Sequence, residues 1–126
     1  MNPMPSLAQE SYCYLTTIGR VSGKPREIEI WFGLSDGTLY MLSGGGDRSD
    51  WVKNLTKTPA VRVRIANRTF EGNARVVSDP DEGALARRLL YDKYAAGYSG
   101  DLSEWRDTAL PVAVDLSLGE DESRSG

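Results

Sequence analysis

The chain has no histidine among its 126 residues. That absence removes every Ser-His and Cys-His nucleophilic arrangement and the usual imidazole zinc site. It also removes the one side chain that titrates near neutrality without perturbation. Cysteine is nearly absent as well. Cys13 stands alone, so no intramolecular disulfide can form, which fits a reducing cytoplasm. No apolar run reaches membrane-spanning length, and Met1 to Gln9 lack the basic and apolar regions of a signal peptide. Positive charge is in deficit, with 15 Lys and Arg against 18 Asp and Glu and a net charge of −3, so no global field draws in nucleic acid. If the chain is an enzyme, Lys, Tyr or carboxylates must handle its protons, or a bound cofactor must carry the chemistry. The cofactor is the simpler expectation.

What is present reads as one domain, with a loose arm over residues 1–11, a folded body over 12–116 and an acidic tail over 117–126. Ser/Gly-rich and acidic, that tail is expected to be disordered. Tyr12 to Ile18 is rich in aromatic and β-branched residues, a first strand ended by Gly19. A second strand runs from Glu27 to Leu34, alternating until Trp31 and Phe32 put an aromatic on both faces. Asp36-Gly37 marks a hairpin turn before a strand over Thr38 to Ser43. Gly44 to Gly46 break that strand, and Asp47 or Ser49 can cap a helix that Pro59 ends. Val61 to Ile65 and Thr69 to Val77 alternate as two further strands. Asp79-Pro80-Asp81-Glu82 opens a helix that reaches Lys93 or Tyr94, with Asp79 as cap and Glu82 completing a capping box. Leu102 to Arg106 suits a short helix, and Pro111 to Leu116 a last strand. About six short strands joined mainly by tight turns, with two or three helices inserted, predict an antiparallel barrel or sandwich.

The stretch Gly19-Arg20-Val21-Ser22-Gly23-Lys24-Pro25-Arg26 carries the densest chemistry. Held between two strands, it can wrap an anion with backbone N–H groups and fix it with Arg and Lys, or it is a hairpin whose charges face water. It is not a P-loop, because the spacing is wrong and Pro25 stands where Ser or Thr should bind magnesium. Gly44 to Gly46 can meet an anion or a flat ring, or serve as a connector. Arg62 and Arg64, with Arg68 and Arg75, form either a solvated sheet face or a nucleic-acid face, and the acidic balance favours the former. Tyr91, Tyr94 and Tyr98 fall at helical spacing, as core residues or as hydroxyls lining a pocket.

Thr16-Thr17-Ile18-Gly19-Arg20-Val21-Ser22-Gly23-Lys24-Pro25-Arg26 resembles the T-T-x-G-R-x-S-G-x-x-R signature of the deazaflavin-dependent nitroreductase and quinone reductase family. Those are split-β-barrel proteins related to the pyridoxamine phosphate oxidases. Trp51-Val52-Lys53-Asn54-Leu55 is similar to the family's W-Y-x-N-L helix, and Trp105 to Val114 also fits; the likeness spans residues 12–116. Val21 departs from the Lys that many members carry. The resemblance implies an α+β, mainly β, six-stranded split barrel that uses coenzyme F420, with FMN as the alternative. Arg20, Ser22, Gly23, Lys24 and Arg26 would meet the phosphate and oligoglutamate tail. Ile28, Glu29 and Ile30 would flank the ring, and Ser43, Gly44, Gly45, Arg48 and Trp51 would complete its contacts. Tyr94 and Tyr98 are the implied hydrogen-bond donors to a quinone, nitro or enone oxygen. The partners implied are a small-molecule substrate and a second copy in a homodimer, with neither nucleic acid nor membrane. A non-catalytic cofactor carrier is the remaining alternative.

Overall fold

The computed structural model describes residues 4–117, so the expected acidic tail lies outside the described residues apart from Ser117. In chain order the elements are α1 (Met4–Leu7), β1 (Cys13–Ile18), β2 (Pro25–Ile30), β3 (Gly33–Ser35), β4 (Thr38–Ser43), α2 (Asp50–Lys57), β5 (Ala60–Ile65), β6 (Arg68–Val76), α3 (Pro80–Tyr94), α4 (Ser103–Thr108) and β7 (Leu110–Ser117). The seven strands make one sheet in the order β2-β1-β5-β6-β7-β4-β3, with every pairing antiparallel. Its two edge strands are consecutive in the chain. The sheet therefore curls until its ends are joined only through Trp31 and Phe32, the expected split β-barrel.

The strand expected over Glu27 to Leu34 is two strands, because Phe32 leaves the ladder. Its N–H donates to Tyr94 Oη at 3.0 Å and its carbonyl accepts from Lys93 Nζ at 2.9 Å. Phe32 is thus satisfied by α3 rather than by a neighbouring strand, and its ring is fully buried. Gly33 follows because β3 runs against α3: a Cβ there would lie 2.7 Å from Leu89.

Two cores share the sheet. Inside the barrel Leu15, Leu39, Met41, Val63, Ile65, Val112 and Val114 pack with Val52 and Leu55 of α2. On the outer face Tyr40, Leu42 and Ala113 meet Ala86 and Leu90 of α3, with Trp105 of α4 packed against them. β4 and β7 are covered on both faces, whereas β5 and β6 alternate between core and solvent.

Asp79 caps α3 as expected, accepting from Glu82 N–H at 2.9 Å, with Pro80 in the first turn. Glu82 does not complete a capping box. Its carboxylate takes two bonds from the Arg75 guanidinium, at 2.7 and 2.8 Å, and one from Tyr40 Oη at 2.7 Å. Arg75 Nε also reaches Asp115 at 2.7 Å, so β4, β6, β7 and α3 are tied by one charged group. The Arg75 hydrogen bonds hold both carboxyls below the usual carboxylate range. A carboxyl depressed in the folded state contributes stability that is present above its unfolded value of about 4 and is lost as pH falls through the folded value. Arg75→Met should therefore destabilise the protein by about 1–2 kcal/mol near pH 7, since solvent screens part of the network. In urea unfolding the difference from wild type should shrink as pH is lowered toward 3; a pH-independent difference would contradict the assignment.

Candidate functional site

In the loop between β1 and β2, four backbone N–H groups are taken up within the protein. Gly19 N–H donates to Lys24 O and Gly23 N–H to Gly19 O, both at 2.8 Å. Arg20 N–H donates to Asn54 Oδ1 at 3.1 Å and Lys24 N–H to Ser22 Oγ at 3.2 Å. Gly23 makes the turn with φ of 73°, a value glycine adopts without strain. Of the N–H groups expected to cradle an anion, those of Gly19, Arg20, Gly23 and Lys24 are thus engaged in the turn and with α2.

Arg20 is also committed to the protein. Its guanidinium donates to Asn54 Oδ1 at 3.0 Å and to Asp50 Oδ1 at 3.1 Å, while Lys57 Nζ donates to its carbonyl at 2.9 Å. Asn54, buried on α2, passes the link inward by donating to Thr17 Oγ1 at 3.2 Å. The guanidinium thus pins the loop to α2 while still facing the groove. Lys24 and Arg26 are exposed, and among the described residues no carboxylate pairs with either.

Three hollows follow β2 in succession. The first, of about 670 Å³, is walled by Arg20, Ser22, Arg26, Ile28, Trp51 and Asn54, among others. A cleft of about 420 Å³ is lined by Tyr12, Glu29, Ile30 and Trp31. A third hollow of about 730 Å³ shares Tyr12 and Trp31 with that cleft and adds Lys93, Tyr94 and Tyr98. At about 3.3 Å per residue, Arg26 and Trp31 stand roughly 17 Å apart along this edge. Ser43, Gly44, Gly45 and Arg48, expected to touch the same ligand, line none of the three. Ser43 is buried; its hydroxyl donates to Gly46 O at 2.8 Å and lies 2.8 Å from Ser49 Oγ. It shapes the glycine turn rather than presenting an oxygen to solvent. Gly44, Gly45 and Arg48 are exposed.

Of the tyrosines, Tyr94 has its hydroxyl against the backbone, 2.7 Å from Ser11 O and 3.1 Å from Phe32 O, while accepting from Phe32 N–H. Its single proton is directed at a carbonyl, and burial pushes the phenol up to about 12. In this structure the Tyr94 proton, expected to serve a substrate, is held by the protein backbone. Tyr98 is exposed, and its hydroxyl has no partner among the described residues. Tyr91 lies under the Arg106 guanidinium, 4.5 Å from its centroid.

Several side chains unremarked as site residues gather here. Trp31 stacks on Tyr94 with centroids 4.2 Å apart and meets Tyr98 and Trp105 edge-on at 5.8 and 5.6 Å. Trp105 in turn faces Gly44, where a Cβ would lie 3.9 Å from its ring, so the aromatic group reaches the glycine turn. The interrupted alternation at Trp31 was a visible signal for it. Asn54 stands in the W-Y-x-N-L-like motif, whereas Lys93 had no signal, because only burial distinguishes it. Cys13 is fully buried, and burial pushes its thiol up to about 12, so it is chemically inert. The arginine face is largely engaged: Arg62 pairs with Glu71 at 2.9 Å, and Arg64 lies 4.3 Å from the Tyr14 ring centroid. Among the described residues no helix is long and apolar enough to cross a membrane.

The architecture is that of the split β-barrels, and solved structures agree. The chain is similar to an F420 reductase (21% identity over 93% of this chain and 95% of that one, TM-score 0.65). It is similar to a pyridoxamine 5'-phosphate oxidase, so described, from Listeria innocua (17%, 88% and 87%, 0.64). It is also similar to the haem storage protein HutZ from Vibrio cholerae (14%, 94% and 93%, 0.73). At these identities the likeness is one of fold. The family of F420H(2)-dependent quinone reductases matches residues 5–117, and the chain belongs to that family. It is an F420-dependent oxidoreductase whose cofactor is coenzyme F420.

The residues present fit such a group. Arg20 and Arg26 line a hollow walled by an indole and an isoleucine, and Lys24 is exposed on the adjoining loop, which suits a flat ring with an anionic tail. The loop's shape depends on Asn54. Asn54→Leu should leave Arg20 N–H and Thr17 without their partner and lower stability by about 2–3 kcal/mol in urea unfolding; an unchanged midpoint would refute the pinning role.

Proposed function

We propose that the chain passes a hydride from reduced F420 to a small electrophile: a quinone, a nitro compound or an enone. The observation that supports this most is Arg26, without a carboxylate partner among the described residues, on a hollow walled by Trp51 and Ile28 at one end of β2, with Lys24 exposed on the adjoining loop. Lys24 and Arg26, with the Ser22 hydroxyl and the turn at Gly23, hold the phosphate and glutamate tail by charge-assisted hydrogen bonds. Ile28, Glu29 and Ile30 flank the ring on β2, and Trp51 supplies a wall. Bound and reduced, the deazaflavin supplies the hydride, so the protein needs no nucleophile and no histidine of its own. Its work is to hold the two reactants in register and to exclude water between them. Tyr98, whose hydroxyl is free of protein partners, donates to the acceptor oxygen as charge develops there. The same reading makes the protein a cytoplasmic homodimer, since β2 leaves one side of its backbone without a strand partner beside the cofactor groove.

Titration with F420, followed by quenching of its fluorescence, should show saturable binding, with FMN binding far more weakly. Lys24→Ala combined with Arg26→Ala should weaken F420 binding tenfold or more and leave the melting temperature near wild type, because neither side chain has a protein partner. Arg20→Ala should instead lower the melting temperature. Absence of F420 binding would end the proposal. Binding without oxidation of the reduced cofactor by any quinone, nitro or enone acceptor would make the protein a carrier.

A further inference from the structure

Lys93 stands apart from the other cations of the chain. Half-buried near the end of α3, its Nζ donates to Phe32 O at 2.9 Å, lies 3.6 Å from the Phe32 ring centroid and 5.2 Å from that of Tyr94. No carboxylate pairs with it among the described residues. An ammonium carries three donor protons, and the protein uses one. A half-buried charge without a direct ion pair is costly, and here it lies at the wall of a hollow of about 730 Å³. Aromatic Tyr12, Trp31, Tyr94 and Tyr98 form much of the rest of the wall, beside Leu34, Leu89 and the exposed Asp92. Tyr12 and Tyr98 line that hollow with 43% and 47% of their surface exposed. Exposed tyrosine faces beside an unpaired cation suit a ligand that is both flat and negatively charged.

We propose that this hollow binds a flat aromatic anion, its ring against the tyrosines and its anionic oxygen on Lys93, so that this chain prefers an acidic quinone or nitrophenol as acceptor over a neutral one. The binding stands on the geometry of the hollow, whereas the ligand's role as electron acceptor rests on the hydride-transfer reading above. The hollow shares Trp31 with the cleft beside Glu29 and Ile30, which places it next along β2 after the stretch assigned to the ring. Burial lowers the Lys93 ammonium to about 8. The groups around it are the uncharged Cys13 and Tyr94, both pushed up to about 12 by burial, and the exposed carboxylates Glu10 and Asp92. None supplies a second cation. Affinity for the anion should therefore hold below pH 8 and fall as the ammonium is lost above it.

The test uses the full chain without cofactor and 2-hydroxy-1,4-naphthoquinone, a planar anion at neutral pH, in calorimetric titration beside neutral 1,4-naphthoquinone. The anion should bind at least tenfold more tightly than the neutral compound. Lys93→Met should remove that preference and Lys93→Arg should keep most of it. Tyr98→Ala, at an exposed position that folding does not need, should weaken the anion several-fold. F420 binding should be unchanged in all three variants. Equal affinity for the two quinones, no effect of Lys93→Met or Tyr98→Ala, or displacement of the probe by F420 would each overturn the proposal. A wild-type protein that binds the probe but not F420 would overturn the hydride-transfer reading alone. Binding of the probe without its reduction by reduced F420 would overturn its role as acceptor.

Discussion

Between β2 and β3 the chain steps out of the sheet at Phe32, and the groups that hold it there come from the far end of α3. Tyr94 takes the peptide N–H and Lys93 the carbonyl, more than sixty residues away in sequence. Each bond contributes only about 1 kcal/mol net, yet leaving either group unpaired beside a buried ring would cost more than that. This fastening turns one strand into two and lets consecutive strands occupy opposite edges of the sheet. It also sets Trp31 at the end of the groove, stacked on the same tyrosine. The split in the barrel and the aromatic end of the site are thus one arrangement.

The net charge of −3 says little about how charge is used. Arg20, Arg62, Arg75 and Arg106 each meet a carboxylate within 3.1 Å; the first three pairs join separate elements, and the last lies within α4. Lys24 and Arg26 at one end of β2 and Lys93 beyond the other have no carboxylate partner among the described residues. A negative protein can hold a polyanion because recognition depends on local compensation, not on the sum.

Much of the fold was legible because its signals are local. Asp36-Gly37, the Asp79-Pro80 helix start and the alternation from Val61 to Ile65 each act within a few residues, and each lies where the pattern put it. The signature from Thr16 to Arg26 was legible because it is contiguous. What was not legible depends on partners distant in the chain. The loop reads as a cradle of N–H groups, yet four of its amides are bonded within the protein and its first arginine meets Asn54 and Asp50. Glu82 sits where a capping box would use it but is drawn off by Arg75 and Tyr40. Tyr94 reads as a donor for substrate, whereas its hydroxyl rests on the backbone of Phe32. In each case the residue type was read correctly and its nearest competitor for a hydrogen bond was not, since spacing carries no information about that competitor.

The double coverage of β4 and β7 has a consequence for how the molecule opens. Their ladder pairs Thr38 with Asp115 and Ser43 with Leu110, a closure between distant parts of the chain that makes folding slow relative to helical proteins of this size. Once formed, it is roofed by apolar side chains on both sides. Amide hydrogens there can reach solvent only when barrel and helices come apart together, so their exchange with deuterium reports global unfolding. The loop before β2 and the segment around Tyr98 lie outside that unit, so a local opening at either would leave the ladder intact.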